Sequence, residues 1–582
     1  MKQNIQAYIE KALSAIGING VPIIIDRPAV SSHGDYATNV AMIAAKKVGK
    51  SPMDLAEELK EKVLHVISNE TGALKEDSKS LSAIAKVEVV APGFINFWLS
   101  EEYLLAQLEK IKERVAINNP TYRGKKIMIE FTDPNPFKEF HIGHLYSNTV
   151  GESLARLLEA SGATVRRVNY QGDVGLHVAK ALWGITKKMN DLRLTMDDLE
   201  KKTLDERIKI LGQAYAMGAK AYEDDSQAKE EINALNKQVY QHDPNIEKLY
   251  QVGRQWSLDY FEKMYERLGT KFEGYYFEST VGELGLALVK EFLKKNVFEE
   301  SDGAVIFPGE KYGLHNRVFI NSLGLPTYEA KELGLAPKKY EDFAYDLSII
   351  VTGNEIIGYF KVILSALGQI RPDLASKTKH VAHGMVRLPE GKMSSRTGNV
   401  ITGEWLLDEA KARIVKNFKD VDEKTAGIIA VAAVKYALLK SSIGKDISFD
   451  FDESISLEGN SGPYIQYTYA RTQSVLDKVK KQNAKGKSGN AKVATEVNPE
   501  ELALLRLVQQ FPEVVEEASE KFAPNTIATY VFDLAQAFNL FYQKHKIIGT
   551  KEEAFRVFLV SKVGSILSSG LDLLGIAAPQ KM

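Results

Sequence analysis

Hydrophobic and polar positions follow helical spacing over residues 4–16 and 51–66, and strand spacing over residues 86–90 and 94–99. The tripeptide Ala91-Pro92-Gly93 between the two strands is typical of a turn. These patterns predict a small α+β domain at the start of the chain.

Further along, the pattern changes to that of an α/β domain. A short β-branched run at 126–130 is followed by a loop, a helical stretch at 144–161 and a second strand at 164–169. This order predicts a βαβ unit, and parallel strands bind ligands at their carboxyl ends, beside a helix N-terminus. The loop 131–144 is therefore the predicted site.

The rest of the chain predicts two more features. Residues 185–265 are rich in Lys, Glu and Asp at helical spacing and predict a helical insertion. Strand signals at 304–307 and 347–352 predict that the parallel sheet resumes. From Lys424 onward the pattern is helical, except that the Lys- and Gly-rich stretch 478–492 predicts a loop.

Composition narrows the class of protein. A chain of 582 residues with 44% hydrophobic and 26% charged positions is typical of a soluble, multidomain globular protein. The net charge of -1 means that a nucleic acid would have to be bound by local basic clusters. The chain has no cysteine, which excludes disulfides and thiolate zinc sites. No run of about 18 apolar residues is found, so we expect a cytoplasmic location.

The first candidate site is His141-Ile142-Gly143-His144, placed between a strand and a helix. A helix N-terminus favours phosphate oxygens, two imidazoles can donate to them, and Gly143 allows close approach of a nucleotide. A pair of histidines that merely caps or fills a turn is the alternative, and the motif alone does not decide between the two.

The second candidate site is Lys392-Met393-Ser394-Ser395-Arg396, in a glycine-flanked loop. Two cations and two hydroxyls can cover a triphosphate and neutralise charge as pyrophosphate leaves. An exposed basic turn is the alternative reading. Because both motifs fall in loops of one predicted α/β domain, together they favour a nucleotide site.

The two motifs resemble the HIGH and KMSKS signatures of class I aminoacyl-tRNA synthetases, and other segments narrow the resemblance to the arginyl family. These segments are Glu130 to Pro136, Asn169 to Gly175, Leu325 to Tyr328, Gly459 to Tyr464, Gly34 to Tyr36 with Asn39, and Phe538 to Tyr542. The resemblance implies an α/β fold with a Rossmann-like parallel-sheet catalytic domain at 119–450. It also implies an α+β N-terminal domain at 1–118 and an all-α anticodon-binding domain at 451–582.

The resemblance also implies a function and a set of site residues. The chain would activate arginine with ATP and transfer it to tRNA(Arg), using as catalytic residues His141, His144, Lys138, Lys392 and Arg396, which would stabilise phosphate charge as cations. ATP would be bound by Gly143, Met385, Ser394 and Ser395. Arginine would be bound by Glu130, Asn135, Tyr328 and Glu332. The tRNA would be bound by Asn96, Tyr464, Tyr469 and Arg471.

Physical chemistry supports the arginine pocket, because a planar cation with five donors requires carboxylate acceptors and an aromatic face. The chain departs from the family pattern in two ways. Glu332 stands where aspartate is usual, and Asn354-Glu355 stands where an amide commonly lines the pocket. The second lysine of KMSKS is Ser395 here, and the resemblance implies that Lys138 compensates for it.

The expected partners are ATP with Mg²⁺, L-arginine and tRNA(Arg), with no protein-bound zinc, no membrane and a monomeric state. Three rival readings remain. Cysteinyl or methionyl synthetases normally use cysteine zinc ligands, which this chain lacks. Small nucleotidylyltransferases lack the second motif and the long helical C-terminus. A catalytically silent tRNA-binding paralogue would have lost the histidines or the lysines.

Overall fold

The computed structural model describes residues 1–582 with the exception of 29, 72–82, 112–116, 118, 389–400, 419–420 and 484–495. The Lys392–Arg396 motif and most of the stretch 478–492 therefore lie outside the described residues. The chain forms two compact units. The first consists of Met1–Glu113, Val475–Phe511 and Gln536–Ile566, and the second of Arg114–Ser474, Pro512–Ala535 and Leu567–Met582.

The N-terminal elements of the first unit are α1 (Lys2–Ala15), β1 (Ile25–Asp26), β2 (Tyr36–Thr38), α2 (Val40–Val48), α3 (Pro52–Thr71), β3 (Ile84–Val90), β4 (Phe94–Leu99) and α4 (Glu101–Lys110). The four strands form an antiparallel sheet with the order β1-β2-β4-β3. The predicted helices and strands of this region are confirmed, and β1, β2, α2 and α4 were not predicted.

The turn before β2 shows why glycine precedes aspartate there. Gly34 has φ 95°, and a Cβ at this position would lie 2.7 Å from the carbonyl oxygen of Phe97. Asp35 is buried, accepts a hydrogen bond from the Leu99 N–H at 2.7 Å and pairs with Arg506 at 3.1 Å. Burial raises the pKa of Asp35, while the Leu99 N–H and Arg506 act in the opposite direction.

The second unit begins with the predicted βαβ unit and its helical insertion. The elements are β5 (Lys126–Glu130), α5 (Ile142–Ala160), β6 (Thr164–Gln171), α6 (Leu176–Leu192), α7 (Met196–Glu200), α8 (Leu204–Asp224), α9 (Ser226–Tyr240) and α10 (Pro244–Leu268). Thr195, Thr203, Asp225 and Asp243 cap α7 to α10 through their side chains, as short polar residues commonly do. The prediction of a helical insertion is confirmed, and the insertion is somewhat longer than 185–265.

The chain then returns to the sheet. The elements are β7 (Gly274–Phe277), α11 (Glu278–Leu293), β8 (Glu299–Ser301), β9 (Ala304–Phe307), β10 (Arg317–Ile320), α12 (Tyr328–Asp342), β11 (Leu347–Gly353), α13 (Ile357–Ile370), α14 (Pro372–Ala375), β12 (Thr378–His383) and β13 (Val386–Arg387). These are followed by α15 (Gly403–Asn417), α16 (Glu423–Leu439), β14 (Ile447–Ser448) and α17 (Phe451–Ser454).

The main sheet has five parallel strands in the order β12-β11-β5-β6-β7. From β5 the chain continues to β6 and β7 on one side of β5, and it later adds β11 and β12 on the other side. The strand order therefore reverses between β5 and β11. Ligands of such sheets bind at this switch point, outside the carboxyl ends of the strands. The carboxyl ends of β5 and β11 lie at Glu130 and Gly353.

The core below this edge is apolar. Met128 and Val168 of the sheet pack in one buried cluster with Val281, Leu333 and Val362 of α11, α12 and α13. This packing therefore fixes the start of α12 against the sheet, which is the support that a preorganised site requires.

One strand prediction was wrong about its partners. Residues 304–307 form β9 as predicted, but β9 pairs antiparallel with β8 and β10 in a separate three-stranded sheet. The β-branched and aromatic pattern identifies a strand without identifying its neighbours. The parallel sheet resumes at β7, which was not predicted, and at β11, which confirms the prediction for 347–352.

The C-terminal part is helical, as predicted, with α18 (Gly462–Asn483), α19 (Pro499–Glu520), α20 (Pro524–Lys544) and α21 (Glu553–Leu573). Residues 478–483 belong to α18, so the predicted loop does not begin at 478. Among the described residues, α21 alone is long and apolar enough to cross a membrane by length and composition. Half of its most apolar 18-residue segment is buried inside the protein. A core helix of a soluble protein passes the same test.

Candidate active site

The helix α5 begins at the predicted His-Ile-Gly-His motif, and the two histidines cap it reciprocally. The His141 ring accepts hydrogen bonds from the N–H groups of Gly143 and His144 at 3.1 and 3.3 Å. The His144 ring accepts from the His141 N–H at 3.2 Å. The two rings stack with their centroids 3.5 Å apart. The capping role considered as the alternative is thus real, and it aligns both rings at a helix N-terminus.

This arrangement decides the charge of both histidines. Each ring accepts through Nδ1, so the neutral form carries its proton on Nε2. Burial, followed by the charge of Lys138, lowers the pKa of His141 to about 4. Burial, followed by the charges of His141 and Lys138, lowers the pKa of His144 well below its usual value. At neutral pH both side chains are uncharged hydrogen-bond donors, in contrast to the cations expected from the sequence.

Gly143 lies directly against the stacked rings. A Cβ at Gly143 would lie 3.0 Å from two atoms of the His141 ring. The preceding loop is strained, because the non-glycine residues Thr132, Asp133 and Phe137 have positive φ values. Such strain is found where the surrounding structure holds a site in position. Here the Ser147 hydroxyl accepts from the Thr132 N–H at 2.9 Å, and Ser257 accepts from the Phe137 N–H at 2.9 Å.

Lys138 lies in this loop, close to the histidines. Its ammonium nitrogen is 4.8 Å from the ring centroid of Tyr215 on α8. The charge of Lys138 lowers the pKa values of both His141 and His144, behind burial as the main cause. A cation and two neutral donors therefore lie together at the N-terminus of α5, which suits an anion such as a phosphate.

A second group of charges lies at the carboxyl end of β5. Glu130 and Lys339 form a buried ion pair at 2.8 Å, with side chains 2% and 3% exposed. Glu278 and Lys331 form another at 2.6 Å. Both lysines have pKa values raised by these carboxylates in spite of burial. Two of the four residues belong to α12, which begins beside the sheet edge.

Glu332 and Asp133 join this group without a cation of their own. Burial, and then the charge of Glu130, raise the pKa of Glu332 to about 8. The same causes, in the same order, raise the pKa of Asp133 well above its usual value, although the Tyr170 N–H donates to its carboxylate at 2.8 Å. The carboxyl groups of this acidic pocket ionise more readily once a cation lies beside them, so the pocket fits a cationic ligand.

Asn135 and Tyr328 lie at the borders of the pocket. The side-chain oxygen Oδ1 of Asn135 accepts a hydrogen bond from the Gly172 N–H at 3.1 Å, so the side-chain nitrogen Nδ2 is directed elsewhere. A Cβ at Gly172 would lie 2.4 Å from that oxygen. Tyr328 is 53% exposed, and the Lys331 ammonium lies 5.2 Å from its ring centroid. Tyr328 therefore presents a ring face at the mouth of the pocket.

Met385, the predicted ATP contact, directly precedes β13, which pairs in parallel with β14. The Met385 N–H donates to Asp446 at 2.9 Å, and the Met385 carbonyl accepts from Ile447 at 2.7 Å. In a parallel ladder the alternate residue, Val386, directs its N–H and C=O groups to the opposite side. The predicted ATP contacts of Lys392, Ser394, Ser395 and Arg396 lie outside the described residues.

The Asn354-Glu355 pair lies in a 3₁₀ turn after β11 (Asn354–Ile356). The charge of Glu355 raises the pKa values of His141 and His383, against the larger effect of burial. Glu355 is thus close to the histidines.

The residues expected to bind tRNA differ in exposure. Asn96 and Tyr469 are only 3% and 9% exposed, which leaves little surface for a direct contact. Tyr464 and Arg471 are partly exposed. The guanidinium of Arg471 lies 4.9 Å from the ring centroid of Tyr467, whose side chain is exposed. Among the aromatic side chains of α18 and α20, Tyr469 and Phe541 are buried, whereas Tyr467 and Tyr542 are exposed.

Several residues of the site were missed by sequence reasoning. Asp133 lay in a quoted motif without receiving a role, and Tyr170, Glu278 and Lys331 received none. Lys339 could have been found, because it lies two helical turns after Glu332 and so on the same face of α12.

Three family matches cover most of the chain. Residues 107–451 match the family described as tRNA synthetases class I (R), catalytic domain. Residues 465–582 match the DALR anticodon binding domain, and residues 3–99 match the arginyl tRNA synthetase N terminal domain.

Similar proteins are found by sequence and by structure. An arginine–tRNA ligase of Fusobacterium nucleatum is 32% identical over 96% of the chain and 95% of the relative. One from Borrelia duttonii is 30% identical over 100% of the chain and 99% of the relative. The solved arginyl-tRNA synthetases of Thermus thermophilus and Plasmodium falciparum match with TM-scores of 0.79 and 0.77, at 24% and 22% identity. The first match covers 100% of both chains, and the second covers 100% of this chain and 98% of the other.

Proposed function

The chain belongs to the arginyl-tRNA synthetase family of class I, and on this premise we propose how its residues divide the work of the reaction. It is an arginine–tRNA ligase, which activates L-arginine with ATP to arginyl-adenylate and transfers the arginyl group to the 3′ end of tRNA(Arg) in translation. Its reactants are arginine, ATP and tRNA.

The guanidinium group of arginine is bound beside Glu332, a residue that is 8% exposed and forms no ion pair within the described residues. Glu130, held in place by Lys339, supplies a second acceptor. The exposed ring of Tyr328 covers the planar cation. Asn135, whose oxygen is engaged by the Gly172 N–H, donates from its amide nitrogen to the arginine carboxylate.

The phosphates of ATP are bound at the N-terminus of α5. His141 and His144 donate from Nε2 as neutral groups, and Lys138 supplies a positive charge next to them. Gly143 allows the phosphates to approach the backbone. From the family resemblance, Lys392 and Arg396 neutralise the leaving pyrophosphate, with Ser394 and Ser395 as further phosphate donors.

The contact to the adenine base of ATP, expected at Met385, is moved to the next residue. Both backbone groups of Met385 are engaged by β14 and Asp446, whereas those of Val386 face away from β14. We therefore assign the adenine contact to the backbone of Val386, with the exposed Met385 side chain as a neighbouring apolar contact.

The chemistry needs no protein nucleophile. A carboxylate oxygen of arginine forms a bond to the α-phosphorus of ATP while the bond to pyrophosphate breaks. A ribose hydroxyl at the 3′ end of tRNA then attacks the mixed anhydride and AMP leaves. The protein holds the reactants in register and stabilises the charge that moves onto the leaving phosphates.

Mg²⁺ is proposed to arrive with ATP as a phosphate counterion. The described residues contain no group of three His, Cys, Asp or Glu side chains that could hold a metal ion, so no step is assigned to a protein-bound metal.

The remaining assignments concern tRNA and the cell. We propose the domain boundaries 1–118, 119–450 and 451–582, with tRNA contacts at Tyr464, Tyr467 and Arg471. Asn96 and Tyr469, being buried, would support neighbouring residues. A cytoplasmic monomer, free of the membrane, completes the proposal.

The observation that carries this proposal is the juxtaposition of a negative pocket and an anion-binding helix N-terminus at one switch point. ATP–pyrophosphate exchange, run with each amino acid and with and without tRNA, tests it. Exchange should depend on arginine alone among the amino acids. Exchange supported equally by lysine or methionine, or by no amino acid, would contradict the proposal.

A further inference from the structure

A buried lysine outside the proposed substrate pockets joins three segments of the second unit. Lys435 of α16 is 0% exposed, and its ammonium group forms no ion pair within the described residues. It donates instead to the Leu268 carbonyl, at the end of α10, at 2.6 Å and to the Gly575 carbonyl, after α21, at 2.8 Å. A buried charge is costly unless hydrogen bonds hold it. The three segments are therefore fixed to one another at this ammonium group.

The helix α5 binds the same part of the chain. The end of α21 and the residues that follow it, 572–577, form what we call the C-terminal segment. The Ser153 hydroxyl of α5 donates to the Leu573 carbonyl at 2.8 Å. The Arg156 guanidinium of α5 donates to the Asp572 carboxylate at 2.6 Å and to the Asp572 carbonyl at 3.1 Å. The C-terminal segment is thus bonded to the helix that begins at the His-Ile-Gly-His motif.

The C-terminal segment is closely packed around Gly575 and borders open space elsewhere. Gly575 has φ 67°, and a Cβ there would lie 3.2 Å from the Lys435 ammonium nitrogen and 3.3 Å from Glu152 Cγ. A cavity of about 440 Å³ borders the segment, with Val431 of α16 and Ile576 among the residues that line it. Because the segment has free space beside it, its hydrogen bonds to α5 and Lys435 decide its position together with packing.

The helix α5 connects this contact to the phosphate-binding end of the proposed site. Ser153 lies nine residues after His144 in the same helix, which is about 14 Å along the helix axis. The C-terminal segment lies within residues 465–582, which match the anticodon binding domain. A shift of the segment therefore reaches the ring donor of His144 through one set of hydrogen bonds and one helix. Coupling between distant sites is carried by contiguous contacts of this kind.

We propose that Lys435 is a positioning residue that holds the C-terminal segment against α5, so that binding of tRNA and binding of ATP strengthen each other. This rests on the proposed function, which makes tRNA and ATP ligands of the same chain. Lys435 contacts neither ligand. It fixes the segment through which a tRNA-bound C-terminal domain holds α5 with both histidines directed at the phosphates. By thermodynamic linkage, tRNA then tightens ATP binding by the factor by which ATP tightens tRNA binding.

Calorimetry measures this coupling as the ratio of the ATP dissociation constants without and with saturating tRNA(Arg), with arginine omitted so that no reaction occurs. The unmodified enzyme should bind ATP about tenfold tighter when tRNA is present. Lys435→Met removes the ammonium group and keeps an unbranched stem, and it should reduce the ratio to below about twofold. Lys424→Met, in the exposed first turn of the same helix, is the matched control and should retain the full ratio.

The ratio also separates positioning from stability. A variant that is only less stable unfolds at a lower temperature, but its folded fraction keeps the ratio of the unmodified enzyme. Affinity for ATP without tRNA should therefore be nearly the same in Lys435→Met and in the unmodified enzyme.

Ser153→Ala tests the same contact from the side of α5. It should lower the ratio by at least about threefold, and it decides the question if Lys435→Met does not fold. A ratio near one in the unmodified enzyme, or the full ratio in either folded variant, would overturn the proposal. Arginine-dependent pyrophosphate exchange by the unmodified enzyme would leave the proposed function standing in that case. If the unmodified enzyme shows no such exchange, the proposed function itself fails.

Discussion

Two clusters of charges near the β5–α5–β6 unit are built on opposite principles. In the first, Arg167 of β6 binds both Glu152 and Glu159 of α5, at 2.9 and 2.6 Å, and Arg156 also binds Glu152, at 2.7 Å. In the second, Lys339 pairs with Glu130 at 2.8 Å, whereas Asp133 and Glu332 have no ion pair within the described residues. Both clusters are largely buried, and only the first balances its charges.

The difference separates structural from functional charge. A buried ion network with every donor and acceptor paired is strongly destabilised when one partner is removed. A pocket with unpaired carboxylates costs stability until a ligand supplies the missing cations. Neutralising an acid should therefore weaken the fold in the first cluster and weaken substrate binding in the second.

The largest effect is expected for Glu152→Gln. It leaves Arg167 buried beside one remaining carboxylate, so the free energy of unfolding should fall by about 3–5 kcal/mol. Urea unfolding measures this loss, and kcat/KM for arginine should be unchanged at a temperature where the variant is folded. A loss below about 1 kcal/mol would show that the network is not structural.

Glu332→Gln should have the converse effect. Removing an unpaired carboxylate from the pocket should lower kcat/KM for arginine by about 100- to 1,000-fold, since a buried cation loses its partner. Arginine-dependent pyrophosphate exchange in the presence of tRNA measures it. The control is Glu341→Gln on the exposed face of the same helix, which should leave the rate unchanged.

His144→Ala tests the anion-binding end of the site. Because His144 donates from Nε2 to the phosphates, its loss should reduce the rate of adenylate formation by about 100-fold. The dissociation constant for arginine should change little. An equal loss of arginine affinity would mean that the histidine supports the pocket rather than the phosphates.

The pH dependence of arginine binding is a smaller effect. The pKa of Glu332 is raised to about 8, so the empty pocket gains protons as the pH falls from 8 to 6. The KM for arginine should therefore rise on acidification, by up to about tenfold per pH unit. This slope should be weaker in Glu332→Gln. A pH-independent KM in the unmodified enzyme would exclude ionisation of the pocket as a determinant of affinity.

The smallest effect concerns stability. A carboxyl group whose folded pKa lies above its unfolded pKa destabilises the fold once the pH exceeds the unfolded value, increasingly up to the folded value. Glu332→Gln should therefore stabilise the ligand-free protein at pH 8 and give no gain near pH 4. Thermal unfolding at the two pH values checks this. Equal stabilisation at both would point to packing instead of charge.

The sequence predicted the elements that carry the site better than their long-range partners. The strands β5 and β9 were predicted at their observed bounds, because apolar and β-branched runs are local signals. The sheet to which β9 belongs could not be read from these residues. Likewise, residues 478–483 were expected to begin a loop because the stretch 478–492 is rich in Lys and Gly. They form the end of α18 instead, and lysine has a high helix propensity.

The candidate site shows the same limit. The His-Ile-Gly-His motif and Glu332 were found because they lie in short recognisable stretches. The pairing of Lys339 with Glu130 joins residues 209 positions apart, and neither strand nor helix periodicity predicts it. The neutral state of the two histidines also depends on burial and reciprocal capping, which are properties of the folded chain.

The most direct test of the account is a comparison of L-arginine with L-citrulline, which replaces the guanidinium by a neutral group of similar shape. Calorimetry should show that the unmodified enzyme prefers arginine by at least about 1,000-fold, because the unpaired carboxylates reject a neutral ligand. In Glu332→Gln this preference should fall by at least about tenfold. Citrulline bound within about tenfold of arginine by the unmodified enzyme would contradict the claim that uncompensated negative charge selects the substrate.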